Sequence, residues 1–109
     1  MIDEQEFKKR ADDALTTLSR ELIAASDDYG FEVDFNAGAL AVEFEDPPAK
    51  FVVSPNAPVR QIWVSALAKS YKLDWDIVEN SFVHTESGDT LKDIVEKAIS
   101  KQLKEEVSL

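Results

Sequence analysis

The 109-residue chain contains no cysteine. That single absence removes disulfides, thiolate metal ligands, cysteine nucleophiles and cysteine-held iron–sulfur clusters, and it fits a reducing compartment. Histidine is nearly absent as well. His84 is the sole imidazole, so histidine-rich metal cages are out of reach and any nucleophile–base pair would have to use this one residue. It falls in a predicted strand and reads as an ordinary half-exposed histidine. The three glycines, Gly30, Gly38 and Gly88, are too few and too scattered for a phosphate-cradling loop and read as turns. No apolar run approaches the roughly 20 residues of a membrane span. The opening "MIDEQEFKKR" has neither the apolar centre of a secretory signal nor the acid-poor, arginine-rich character of a transit peptide. The expected setting is cytoplasmic, with a mature organellar form after leader removal as the alternative.

Positive charge is also scarce where it would matter for nucleic acid. The net charge is −10, and residues 1–46 hold 13 Asp and Glu against 4 Lys and Arg, a net −9. Residues 47–109 hold 9 against 8, a net −1. So uneven a distribution argues against phosphate backbones and anionic membranes, and for cations or a basic protein partner.

What is present is a clear change of hydrophobic period. Phe7, Ala11, Leu15, Leu18 and Leu22 recur at spacings of three and four and predict an amphipathic helix. Asp3 is its expected N-cap and "SDDYG" its expected end. The period then becomes two. "FEVDF" and "ALAVEFE" predict a hairpin turned at "NAG"; "EDPPA" predicts a turn, and "KFVVS" a short third strand. "PNAP" predicts another turn, leading into a fourth strand within "APVRQIWVSALAK". "YKLDW" and "SFVHT" complete five to six strands. A second helix follows "ESGDT", capped by Asp89 or Thr90, with Leu91, Ile94, Val95, Ala98 and Leu103 as its buried stripe. Val107 and Leu109 suggest a tail that packs.

Two helices with one apolar stripe each should cover the same sheet face. The expected fold is therefore α+β, a two-layer sandwich with both helices on one face of an antiparallel sheet, as a single domain over residues 1–109. Strand four then buries Ile62, Val64 and Ala66, because the opposite phase would bury Gln61 and Ser65 instead. Trp63 is left on the open face, flanked by Gln61 and Ser65, with Asn56 in the preceding turn and Lys72 within reach from the next strand. Tryptophan is enriched at interface hot spots, although an incidental surface indole is the plainer reading. The carboxylates Asp12, Asp13, Asp27, Asp28, Glu32 and Asp34 can form a ridge if the first strand lies at the sheet edge beside helix one. Exposed oxygen ligands without imidazole or thiolate bind hard cations weakly and exchangeably. The plainer reading there is a solvated acidic surface.

The order helix–sheet–helix, with "NAGALAVEF", "PNAPVRQIWVS", "YKLDW" and "FVHTESGDTLKDIVEKAI", resembles the frataxin family, most closely its bacterial form, from Phe7 to about Leu103. The resemblance implies an iron-binding protein of iron–sulfur cluster assembly that docks on the cysteine desulfurase and scaffold complex and modulates sulfur transfer, as Fe²⁺ donor or sensor. It implies that the acidic ridge holds Fe²⁺ or Fe³⁺ through exposed carboxylates, with no organic cofactor. Trp63, Gln61 and Ser65 would contact the partner, with Asn56 and Lys72 as a polar surround. The protein would be a monomer, with oligomerisation on iron as the alternative, binding neither nucleic acid nor membrane. Thr16, Arg20, Ile23 and Ala24 stand where the family is often acidic, which splits the ridge into two ends. Ferroxidase or iron-storage activity, and a metal-independent acidic interaction module, are the competing readings.

Overall fold

The structure is a computed structural model that describes residues 2–36, 38–45 and 48–109. Asp3 caps the first helix, α1 (Glu4–Tyr29), by accepting the Glu6 backbone N–H at 2.8 Å. Glu4 and Glu6 occupy the first turn, where the helix dipole favours anions. The apolar stripe is buried as its spacing predicts, from Phe7 and Ala11 through Leu15 and Leu18 to Leu22. The helix end differs from expectation. "SDDY" continues the helix, which closes only at Gly30, whose φ of 72° returns its N–H to the Ser26 carbonyl at 2.8 Å. Asp27 and Asp28 therefore belong to the last turn of α1 rather than to a following loop.

Six strands follow as an antiparallel meander: β1 (Glu32–Asn36), β2 (Ala39–Glu45), β3 (Pro48–Asn56), β4 (Gln61–Ala66), β5 (Lys69–Asp76) and β6 (Ser81–His84). β3 is longer than "KFVVS" predicted. Pro48 opens it and Pro55 lies next to its end, positions where a missing N–H disturbs the ladder least. Of the expected "EDPPA" turn, residues 46 and 47 lie outside the described residues, as does residue 37 of the "NAG" turn. The fourth strand is confined to the centre of "APVRQIWVSALAK". A short 3-10 turn spans Ala57–Val59, and Leu67 and Ala68 form a two-residue hairpin with φ of 53° and 63°. That turn backbone normally asks for Asn-Gly, so nothing in the residue types announced it.

The second helix, α2 (Leu91–Leu103), opens on a capping box in which Thr90 and Asp93 satisfy each other's backbone N–H groups. Its buried stripe includes Ile99 and Gln102, while Leu103 is only partly buried, contrary to the predicted stripe. The tail packs as expected: Val107 is buried and donates its N–H to Ser100 Oγ. Both helices share one core with Leu40, Val42, Phe51, Val53, Ile62, Val64, Leu73 and Phe82. The helices thus cover one sheet face and leave the other open. No helix among the described residues is long and apolar enough to cross a membrane.

Candidate functional site

The site is a row of side chains on the open face of β3, β4 and β5. Ile62, Val64 and Ala66 are buried beneath the helices, so the pleat forces Gln61, Trp63 and Ser65 outward. Register sets their neighbours. Trp63 lies between Ser54 of β3 and Lys72 of β5, and Gln61 lies between Asn56 and Asp74.

These neighbours hold the indole in place. Trp63 Nε1 donates to Gln61 Oε1 at 2.9 Å, and Gln61 Nε2 donates to Asp74 Oδ1 at 3.1 Å. Lys72 Nζ lies 5.0 Å from the Trp63 ring centroid, within cation–π range. A shallow depression beside the ring is lined by Val52, Ser54, Ser65, Ser70 and Lys72. Trp63 keeps 38% of its surface exposed, so it is oriented without being buried. Such a ring offers a large apolar contact whose rotamer entropy is already spent, which is how interface anchors gain affinity. Sequence reasoning named Gln61, Trp63, Ser65, Asn56 and Lys72 but missed Asp74 and Ser54. Strand register, once known, would have found both.

The carboxylates do not gather into one group. Glu32 and Asp34 project from the edge strand β1 on the side away from the half-buried Val33 and Phe35. Glu32 faces Glu43 directly across the β1–β2 ladder, and Lys50 reaches Glu43 at 3.9 Å. Asp27 and Asp28 lie in the last turn of α1, five and four residues before β1 opens at Glu32. Asp12 and Asp13 lie 15 residues earlier on α1, about 22 Å along the axis at 1.5 Å per residue. They also diverge. Asp12 borders a depression with Lys8, Gly38 and Pro55, whereas Asp13 borders a groove with Arg10, Glu21 and Trp75. All six are exposed, and none is in an ion pair among the described residues. Among those residues no group of three or more His, Asp and Glu could enclose a metal ion.

His84 is fixed by structure. Its Nδ1 lies 2.9 Å from Ser87 Oγ, and its ring packs edge-on against Tyr71 at 5.4 Å. No carboxylate hydrogen-bonds to its ring among the described residues.

Two helices over one face of an open antiparallel sheet, with an oriented indole on the other face, define an α+β sandwich built to present a surface. Residues 1–105 match the family model of the frataxin-like domain, and the chain belongs to the frataxin family, of the bacterial type. Among solved structures it is similar to frataxin from Psychromonas ingrahamii, a member of the CyaY family. The two are 26% identical over 98% of this chain and 97% of that one, with a TM-score of 0.76. Membership supports a role in iron–sulfur cluster biogenesis.

Proposed function

We propose that the chain is an iron-binding regulator of iron–sulfur cluster assembly in the bacterial cytoplasm. It docks on the cysteine desulfurase–scaffold complex and modulates sulfur transfer, with Fe²⁺ as cargo or signal. The observation that supports docking most directly is the Trp63–Gln61–Asp74 hydrogen-bonded chain, which orients an aromatic group on an open sheet face. Helices have little reason of their own to end on two aspartates. Asp27 and Asp28 close α1 against its dipole with no basic residue in the last turn, a cost of about 0.3–1 kcal/mol each. A cation or a basic partner surface at that end would offset it.

The docking test is binding to a cysteine desulfurase with and without Fe²⁺. Trp63→Ala should weaken the complex by about 2 kcal/mol, roughly 30-fold in Kd, with little change in fold stability. Unchanged affinity would retire the open face as the docking surface. The iron test is an anaerobic Fe²⁺ titration followed by amide signals. Losses should centre on Asp27, Asp28, Glu32 and Asp34, with Asp12 and Asp13 responding separately. Absence of any selective loss below millimolar iron removes the metal role.

A further inference from the structure

Among the described residues six large apolar side chains are exposed, and four of them lie on the open face or in turns at one end of the sheet. Trp63 is on β4, Val59 (45%) is in the turn leading into β4, and Ile77 (84%) and Val78 (88%) are in the β5–β6 turn. Gln61 pairs with Asp74, so the start of β4 and the end of β5 lie at the same end of the sheet, and the Val59 and Ile77–Val78 turns are both there.

The β5–β6 turn is built rather than loose. Asp76 Oδ1 accepts the backbone N–H groups of Val78 at 2.9 Å and Glu79 at 3.0 Å. Asn80 closes the turn at a φ of 53°, a conformation its side chain tolerates. Two β-branched aliphatic residues are therefore held almost wholly in water on a fixed arm. Burying either would remove from water apolar area that the free protein leaves exposed. Beside them Glu79 is exposed and makes no ion pair among the described residues.

Distance decides whether one partner can cover both features. Trp63 lies opposite Lys72, and Ile77 follows Lys72 by five residues, at most about 17 Å along the strand. A standard interface buries about 800 Å² per partner, a patch about 28 Å across, which holds both.

We propose that the docking surface extends from Trp63 over the sheet end to the Ile77–Val78 turn. The same partner that covers the indole receives this turn in an apolar cleft edged by a basic residue that meets Glu79. This rests on the open-face reading above and adds a second anchor to it. The experiment measures desulfurase binding for wild type, Trp63→Ala, the double variant Ile77→Ser/Val78→Ser and Glu79→Lys, each checked for fold by circular dichroism. Both turn variants change only exposed side chains and should keep the fold. The double variant should weaken binding about tenfold or more, through faster dissociation, and Glu79→Lys should weaken it in the same direction. Loss with Trp63→Ala but not with the turn variants overturns the second anchor and leaves the open face standing. Loss with the turn variants alone overturns the open-face reading and with it the continuous surface, and loss with none overturns both anchors.

Discussion

The two tryptophans lie on opposite faces of one sheet, and their surroundings differ in kind. Trp75, on β5, is half-buried under α1. Its ring packs against Phe82 at 5.1 Å between centroids and carries the Arg10 guanidinium 5.1 Å above it. Phe82 in turn meets Phe7 edge-on at 5.8 Å, so Trp75 closes a wall of aromatic packing. Trp63, twelve residues earlier, touches water on one side and donates to the Gln61 amide, which is itself held by the Asp74 carboxylate. A cation lies over each ring, so charge does not separate the roles. What separates them is whether the ring's apolar area has already been used in folding. Trp75's largely has, and Trp63's is still available to a partner.

The largest expected effect in this comparison is on stability. Trp75→Ala should cost about 2–3 kcal/mol in urea unfolding, less than a fully buried indole because Trp75 is only half covered, while desulfurase affinity of the folded fraction stays close to wild type. If Trp75→Ala leaves stability intact, the distinction between the two faces fails. A smaller effect tests what orients the open-face ring. Asp74→Ala removes the acceptor behind Gln61 and should weaken binding about three- to tenfold, less than Trp63→Ala, without a stability change above about 1 kcal/mol. A shift of the Trp63 indole N–H resonance would report the loosened ring, and an unmoved resonance would show that Gln61 alone suffices. The smallest effect lies on the helix-covered side, where Lys92 Nζ bridges from α2 to Glu21 of α1 at 2.9 Å. The Glu21 hydrogen bond and charge raise the Lys92 ammonium above its usual 10.5. A raised lysine contributes stability that is full below 10.5 and fades as pH climbs through the folded value. The melting-temperature gap between wild type and Glu21→Gln should therefore be small, constant at neutral pH, and vanish in the alkaline range. A gap that widens there would reverse the sign and refute the coupling.

The fold was largely legible because period is a local property. The stripe from Phe7 to Leu22 and the alternation of Ile62, Val64 and Ala66 each betray a buried face without reference to any distant residue. Where the reading slipped, the cause was also local. "SDDY" lacks a helix breaker until Gly30, so the helix ran on. Leu67–Ala68 turns a hairpin with residues that announce no turn, and β3 carries prolines at its ends. The candidate site divides similarly. That Trp63, Gln61 and Ser65 face away from the helices was legible because phase alone puts them there. Asp74 was missed as Gln61's partner because only register brings residues thirteen positions apart into hydrogen-bonding distance. Asp12 and Asp13 looked like one feature because they adjoin in sequence, yet a helix turns about 100° between neighbours and sends them toward different depressions.

By itself the chain's order of residues determined that two amphipathic helices would flank an antiparallel sheet, which strand side chains would be buried, and that the acidic excess would fall in the first 46 residues. These follow from spacing and composition, which are local properties of the chain. Only the tertiary structure decided that the indole would be held by a Gln61 amide braced on Asp74, that Asp12 and Asp13 would border different depressions, and that Ile77 and Val78 would stand in water at the end of the sheet. Each of those outcomes depends on which strands pair and in what register, and that is a choice made by the whole core at once.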